Sequence, residues 1–243
     1  MKPASTILIN NTEVGVNIFC VILFWLSGSA FGSPGSLGLD LNGSSSPVHT
    51  GVEQNFSKIQ RAVVEVRSEY GYGTGTLFEK DSRVFVLTAA HVIISREPIV
   101  IVHGSERRDS TVVYFDNVSD IAVLEIEEMS NRDPIKLRFR RRSVAIGDNA
   151  GYCGFPNRRD LACFSGNISF LRSSVINVNI YAWFGASGSL VFDSRGRVIG
   201  VLSGVEVGEF LGIPSVIENV IWIRQPPQAF LDSFERSFEP SDN

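Results

Sequence analysis

Short apolar runs separated by turn-forming residues make up the chain from Val52 onward, and this pattern limits its fold more than any other feature. Runs that are rich in Val, Ile and Phe and bounded by Gly, Pro, Asn, Asp or Ser predict β-strands. Because little helical periodicity separates them, we predict an all-β chain with a pair of barrels rather than a helix bundle. The predicted strands are 62–66, 84–87, 99–102, 111–115 and 121–126 in the first barrel, and 144–146, 164–170, 174–180, 189–192, 198–202 and 220–223 in the second.

Two local signals refine this picture near the C-terminus. The segment 193–196 reads Asp-Ser-Arg-Gly, which predicts a hairpin turn between two strands of the second barrel. Between residues 227 and 238, Phe230, Leu231 and Phe234 recur at helical spacing, so a short terminal helix is expected. The predicted folded domain therefore covers residues 52–238.

The N-terminal region has a different composition. Val14 to Leu26 is almost uninterruptedly apolar and is followed by small residues, which predicts a secretory signal peptide within residues 1–32. A membrane anchor over 14–32 is the alternative, because about 19 apolar and small residues are just long enough to span a bilayer. Residues 33–51 are rich in Ser, Gly and Pro and predict a linker. On either interpretation the domain is expected to be secreted or extracytoplasmic, and the second interpretation tethers it to the membrane through its N-terminus.

Charge and residue counts restrict the partners and cofactors. The net charge of -4 argues against nucleic acid as a main partner. The chain has three His and three Cys, and their spacing matches no metal-binding pattern. We therefore expect neither a metal nor another cofactor.

Three motifs carry the candidate chemistry. His91 lies in the segment 88–92 (TAAHV), Asp120 in 119–124 (SDIAVL) and Ser187 in 185–189 (GASGS). A serine between small residues just before an apolar strand is typical of a nucleophile on a tight turn. Its hydroxyl needs a base to accept the proton and a carboxylate to orient that base. Each motif alone also occurs in ordinary cores and turns, so their conjunction in this order is what favours a catalytic site.

These motifs resemble those of the chymotrypsin-like (trypsin-like) serine peptidases, and are most similar to the Deg or HtrA type of protease domain. The resemblance implies two six-stranded antiparallel β-barrels, a short C-terminal helix and a strand at 74–78 before the histidine strand. It also implies a serine endopeptidase that hydrolyses peptide bonds of a protein or peptide substrate through an acyl-enzyme. We expect no C-terminal peptide-binding (PDZ) module of the kind that many Deg-type proteases carry.

The resemblance assigns a role to each site residue. His91 would be the general base, Asp120 would orient it, and Ser187 would attack the substrate. The backbone amides of Gly185 and Ser187 would form the oxyanion hole.

The same resemblance places a substrate pocket beside the nucleophile. Its base would be Tyr181, and one wall would be formed by Ser203, Gly204 and Val205. Because Tyr181 offers no charge to pair with a cationic side chain, we expect preference for small or medium apolar residues before the scissile bond.

The residue before the nucleophile bears on activation. Ala186 has no carboxylate, so a newly cut N-terminal ammonium would find no partner there. We therefore expect no zymogen switch of the digestive type.

Two of the cysteines predict a disulfide. If a signal peptide containing Cys20 is removed, Cys153 and Cys163 remain, and they flank a loop between two probable antiparallel strands. In an oxidising compartment they would pair, although two free thiols are the alternative.

Two other functions are alternatives to a protease. A catalytically silent protease homologue could act as an extracytoplasmic binding module, but its usual mark, loss of a triad residue, is missing from the sequence. An esterase of the α/β-hydrolase type would require the chain order Ser, Asp, His and helices between the strands. The observed order is the reverse.

Overall fold

The computed structural model of the protein describes residues 51–69, 71–94, 99–158, 160–172, 175–210 and 213–236. The predicted signal peptide or anchor (1–32) and the predicted linker (33–51), apart from Gly51, lie outside this described part. Within it, no helix is both long enough and apolar enough to cross a bilayer.

The first barrel is preceded by short helical turns and contains six strands. The turns are a 3-10 turn at Val52–Asn55, the helix α1 at Phe56–Ile59 and a second 3-10 turn at Gln60–Ala62. The strands are β1 (Val63–Ser68), β2 (Gly71–Lys80), β3 (Arg83–Thr88), β4 (Val100–His103), β5 (Glu106–Asp116) and β6 (Ile121–Ile126). They pair antiparallel in the order β1-β2-β3-β6-β5-β4, and pairing of β1 with β4 closes the barrel.

The second barrel repeats this architecture and is followed by a helix. Its strands are β7 (Asn149–Gly154), β8 (Ala162–Leu171), β9 (Ile176–Asn179), β10 (Leu190–Phe192), β11 (Val198–Phe210) and β12 (Ile213–Arg224). They pair antiparallel in the order β10-β11-β12-β9-β8-β7, and β10 closes the barrel on β7. With the helix α2 (Gln228–Arg236) after β12, the prediction of two six-stranded antiparallel barrels and a short terminal helix is confirmed.

Each barrel is filled by its own apolar side chains. Leu87, Ile101 and Leu124 are fully buried in the first barrel, and Ile168 and Val178 in the second. Side chains alternate between the two faces of a strand, so closure of a sheet directs one set of them into a common interior. Burial of apolar surface in two separate interiors explains why the sequence carries two consecutive groups of strands.

The terminal helix packs on the first barrel although it follows the second. Phe230 and Phe234, four residues apart, are both buried. The ring of Phe234 lies 5.6 Å from that of Phe78 on β2, and the ring of Phe230 lies 5.0 Å from that of Tyr114 on β5. The apolar face read from the sequence is therefore a packing face that ties the chain end to the first barrel.

One predicted strand is wrong. Residues 144–146 form no strand, and the second barrel begins instead with β7 at Asn149–Gly154. A prediction from strand propensity misses β7 because the strand contains glycines, and glycine is depleted in strands. Their small size is required by packing: a Cβ at Gly151 would lie 2.9 Å from Val52 Cγ2, and one at Gly154 would lie 2.3 Å from Ser189 Oγ.

The predicted hairpin turn at 193–196 is confirmed. The amide of Gly196 donates to the carbonyl of Asp193 over 2.9 Å, and Gly196 adopts a φ of +69° that favours glycine. This turn joins β10 to β11 at the end of β10 away from Ser187.

Candidate active site

His91 lies in the 3-10 turn Ala90–Ile93 that follows β3. Ala89 and Ala90 are fully buried, so their small side chains let the chain turn sharply against the barrel. The Ser68 hydroxyl donates to the carbonyl of Val92 over 3.0 Å and anchors the turn from β1. The imidazole itself stays reachable, with 38% of its side-chain surface exposed.

Asp120 ends the tight turn that joins β5 to β6. Asp116 holds this turn: its carboxylate accepts from the amide of Val118 over 2.9 Å and from the Ser119 hydroxyl over 2.6 Å. The hydrogen bond from Ser119 is the main reason that the pKa of Asp116 lies below its usual value. Asp120 itself has a φ of +54°, an uncommon conformation for a residue other than glycine, which persists only where neighbouring contacts stabilise it.

The Asp120 carboxylate binds the backbone and the ring of His91 together. Its Oδ1 accepts from the His91 amide at 2.9 Å, and its Oδ2 lies 2.8 Å from His91 Nδ1. The Ser203 hydroxyl, from β11 of the second barrel, also donates to Oδ2. A carboxylate beside Nδ1 keeps the proton on that nitrogen, so Nε2 carries the free lone pair.

Ser187 lies on the turn that precedes β10. The Ala186 amide donates to the carbonyl of Trp183 at 3.0 Å, and the Ser189 amide donates to the carbonyl of Ala186 at 3.0 Å. Gly185 and Gly188 adopt φ values of +96° and +87°, which allow the chain to wind this tightly on both sides of the serine.

The serine turn packs directly against the first barrel near His91. The Ser187 carbonyl accepts from the Thr74 amide of β2 over 2.8 Å. A Cβ at Gly188 would lie 2.3 Å from Thr88 Oγ1 and 3.0 Å from the Ala89 nitrogen, at the end of the strand that leads to the histidine. The structure thus brings Ser187 to the His91 turn, while among the described residues no hydrogen bond joins the Ser187 hydroxyl to His91.

The two amides predicted to bind an oxyanion differ from their neighbours. Within the described part of the chain, the N–H groups of Gly185 and Ser187 donate to no protein acceptor, whereas those of Ala186 and Gly188 do. The Phe184 carbonyl is held by the Asn157 amide at 2.6 Å, on the loop after β7. This loop residue has a φ of +58°.

The predicted pocket residues lie on two segments: Tyr181 follows β9, and Ser203, Gly204 and Val205 belong to β11. The Tyr181 carbonyl accepts a hydrogen bond from the buried Tyr152 hydroxyl at 2.9 Å. The Tyr181 ring lies 5.2 Å from the ring of Phe164. A Cβ at Gly204 would meet no heavy atom within 4 Å, so open space adjoins this residue, while Val205 packs against the core of the second barrel. Ser203, predicted as a pocket wall, has its hydroxyl bonded to Asp120.

Cys153 and Cys163 form a disulfide in this structure. They face each other across β7 and β8, at the base of the loop that carries Asn157. The bond therefore closes the loop that contacts the Ser187 turn.

The sequence prediction does not identify two residues that hold the serine turn, Thr74 and Asn157. Thr74 was placed in a strand without a role, although it contacts the serine turn, and Asn157 was an unassigned loop residue. Thr74 stands between glycines in the segment 73–75, a spacing typical of close backbone approach, and that signal could have identified it. In the described residues no three His, Cys, Asp or Glu side chains are grouped so that they could hold a metal ion.

Comparison with known proteins gives relatives by sequence. The probable periplasmic serine endoprotease DegP-like of Buchnera aphidicola subsp. Schizaphis graminum is 26% identical over 149 residues, which is 61% of this chain and 30% of that protein. The periplasmic serine endoprotease DegP of Salmonella typhimurium is 27% identical over 165 residues, 61% of this chain and 34% of that protein. The chain thus spans about a third of the length of these relatives.

Solved structures show the same fold. Rv3671c from M. tuberculosis H37Rv, in an inactive form, superposes with a TM-score of 0.62 at 19% identity, covering 82% of this chain and 98% of that one. The serine endoprotease from Yersinia pestis gives a TM-score of 0.60 at 24% identity, covering 78% of this chain and 67% of that one.

A family model described as a trypsin-like peptidase domain matches residues 73–201, a stretch that includes the segments of His91, Asp120 and Ser187. Since this match covers more than half of the 243 residues, the chain belongs to the trypsin-like peptidase domain family.

Proposed function

We propose that this protein is a serine endopeptidase that hydrolyses peptide bonds through an acyl-enzyme on Ser187. The observation that carries the proposal is the pairing of His91 with Asp120 at 2.8 Å beside the turn of Ser187. The names of the relatives, which are serine endoproteases, support the same reaction.

In this mechanism His91 acts first as a base and then as an acid. Its Nε2 accepts the proton of the Ser187 hydroxyl as the oxygen attacks the substrate carbonyl, and later returns it to the leaving amine. Asp120 holds the ring through Nδ1 and stabilises the imidazolium that forms. The hydrogen bond from Ser203 to the same carboxylate keeps the latter oriented toward the ring.

The oxyanion of the tetrahedral intermediate is assigned to the amides of Gly185 and Ser187. These donors lack a protein acceptor in the described residues, and their positions are preset by the backbone of the turn. Donors that need no reorganisation stabilise developing negative charge more than they stabilise the neutral carbonyl.

The substrate is proposed to be a protein or peptide with a small or medium apolar residue before the scissile bond. This residue would enter between Tyr181 and the segment Ser203 to Val205, and none of these four residues carries a carboxylate that could pair with Lys or Arg. The proposed location is outside the cytoplasm, in keeping with the periplasmic relatives. Ala186 is fully buried in an apolar core, which supports activity without a buried N-terminal ammonium.

Active-site labelling tests the proposal. A fluorophosphonate probe should label the purified protein, and Ser187→Ala should abolish labelling. Ser189→Ala is the matched control, because Ser189 lies on the same turn but its hydroxyl is buried and has no hydrogen-bond partner among the described residues. This variant should label like the parent.

Two results would refute the assignment. Labelling that survives Ser187→Ala would remove this serine from the mechanism. A folded parent protein that neither reacts with the probe nor cleaves any member of a peptide library would refute the protease function and favour the catalytically silent homologue.

A further inference from the structure

Thr74 joins the first barrel to the serine turn of the second. It lies on β2 and is fully buried. Its amide donates to the Ser187 carbonyl at 2.8 Å, and its hydroxyl donates to the Gly185 carbonyl at 2.7 Å. A single residue of one barrel therefore binds two carbonyls of the turn that carries the nucleophile.

The direction of the Thr74 hydroxyl is set by a second hydrogen bond. The amide of Phe155, on the loop after β7, donates to the same oxygen at 3.1 Å. Because the amide can only donate and the Gly185 carbonyl can only accept, the hydroxyl proton points to that carbonyl. The Thr74 carbonyl is held in turn by the Thr88 hydroxyl at 2.8 Å, at the end of the histidine strand.

These contacts complete a set that fixes the peptide planes of the serine turn. The carbonyl of Phe184 is held by Asn157, those of Gly185 and Ser187 by Thr74, and that of Ala186 by Ser189. A peptide plane whose carbonyl is held cannot rotate freely, so its N–H direction is also fixed. The Thr74 hydroxyl holds the plane between Gly185 and Ala186, which lies between the two proposed oxyanion donors.

We propose that Thr74 is a positioning residue that sets the oxyanion site through its hydroxyl, without touching the substrate. This inference rests on the proposed protease function. Losing the hydroxyl leaves the Gly185 carbonyl without its buried donor, and the plane can then turn to find another. Such a turn would misdirect the donors for the transition state while leaving the substrate-binding segments in place.

The same strand offers a matched control in Thr76. It is also fully buried, two residues further along β2, but its hydroxyl has no hydrogen-bond partner in the described part of the chain. Replacing either threonine by valine keeps the shape of the side chain and removes only the hydroxyl. Any difference between the two variants therefore reports on the contacts of Thr74.

The experiment compares Thr74→Val, Thr74→Ser and Thr76→Val in the whole protein. Steady-state cleavage of a peptide gives kcat and KM, and affinities are measured for a peptide boronate and for the product peptide. The boronate places an oxygen where the oxyanion forms. The product peptide used is the one released with a free amine, which has no oxygen at that position. Thermal unfolding of each variant checks the fold.

Thr74→Val should lower kcat by about 30- to 300-fold, which overlaps the roughly 10²- to 10³-fold loss seen when an oxyanion donor is removed and extends below it, and should change KM by less than about threefold. Boronate affinity should fall with kcat, and product affinity should not. Thr74→Ser, which keeps the hydroxyl, and Thr76→Val should both stay within about threefold of the parent.

Three results would overturn the proposal while leaving the protease function intact. The first is a Thr74→Val enzyme whose kcat stays within about threefold of the parent, and the second is an equal loss of kcat in Thr76→Val. The third is a Thr74→Val enzyme that loses affinity for the boronate and for the product peptide to the same extent. If Thr74→Val does not fold, Thr74→Ala is compared with Thr76→Ala by the same measurements. Failure of Thr74→Ala to fold as well would show that the role of Thr74 is purely structural. An unlabelled and inactive parent would refute the proposed function itself.

Discussion

The two halves of the candidate site are built by different means. In the first barrel, His91 and Asp120 are joined by side-chain hydrogen bonds, with Asp116 supporting the aspartate turn. In the second barrel, the turn around Ser187 is shaped by backbone hydrogen bonds and by two glycines with positive φ. One half depends on the chemistry of its side chains, and the other on the path of its backbone.

This difference separates the mutations to which each half is sensitive. The first half should lose function when a polar atom is removed, even if the shape of the side chain is kept. The second half should lose function when the backbone is forced to move, even if no polar atom changes. Ser203 and Thr74 cross between the barrels and link the two halves.

The largest effects are expected from removing the reacting groups. His91→Ala should lower kcat by on the order of 10⁶, and Asp120→Asn by about 10⁴, because an amide favours the wrong imidazole tautomer. Rates are measured with a peptide substrate, and Thr76→Val provides the folded control. A loss of only about tenfold in His91→Ala would show that His91 is not the catalytic base, and an equally small loss in Asp120→Asn would show that Asp120 does not orient it.

Gly188→Ala tests whether the serine turn depends on its backbone. The new Cβ would lie 2.2 Å from the Thr74 carbonyl oxygen at a φ of +87°, so the turn has to move. We expect the free energy of unfolding to fall by about 3 kcal/mol and kcat to fall by about 10²-fold.

Gly147→Ala is the control for Gly188→Ala. Gly147 has a similar φ of +90°, but a Cβ there would meet no heavy atom within 4 Å. Gly147→Ala should lower the free energy of unfolding, measured by urea denaturation, by only about 1 kcal/mol and leave kcat unchanged. Equal effects of the two substitutions would mean that strain, and not contact with the first barrel, governs the turn.

The disulfide gives the second half a covalent support that the first half lacks in the described residues. Replacing Cys153 and Cys163 together by alanine should lower the free energy of unfolding by roughly 2 to 3 kcal/mol, because the denatured chain gains freedom. Urea denaturation of the oxidised parent and the variant measures this difference. Titration of two free thiols in the denatured, unreduced parent would contradict it.

The smallest effect is expected at the other histidine of the first barrel. Burial, and then the nearby Arg132, hold the pKa of His103 below its ordinary value, although Glu106 and Glu65 oppose this. A ring that accepts from Arg132 must be neutral, so protonation disfavours the folded state. The stability that the neutral His103 ring contributes is complete above the ordinary pKa of about 6.5. It is lost as the pH falls through the lower pKa of the folded state.

His103→Gln removes this titration but keeps an acceptor for Arg132. Melting temperatures of the variant should therefore depend less on pH between about 7.5 and 5 than those of the parent. Parallel curves for the two proteins would show that His103 does not contribute.

Local patterns in the sequence predicted much of the fold and the positions of the candidate site. The strand 121–126 matches β6, the apolar spacing of Phe230 and Phe234 matches the terminal helix, and the turn at 193–196 is present. Each of these depends on residues that are close in the chain, whose periodicity reflects which face is buried. The three motifs identified the candidate residues for the chemistry, because their residue types and order reflect what acyl transfer requires.

Contacts between distant segments decided the rest. β7 was missed because its glycines have low strand propensity. Their small size is required by contacts with residues distant in the chain, such as Val52 and Ser189. Ser203 was placed in the pocket wall, and only the docking of the barrels brings its hydroxyl to Asp120 across 83 positions of the chain. Thr74 lies 111 positions from Gly185, and its hydrogen bond there has no counterpart in local periodicity. The sequence alone therefore predicted most of the strands and the candidate reacting residues, whereas tertiary packing decided which polar atoms position them, since a hydrogen bond depends on distance in space and not along the chain.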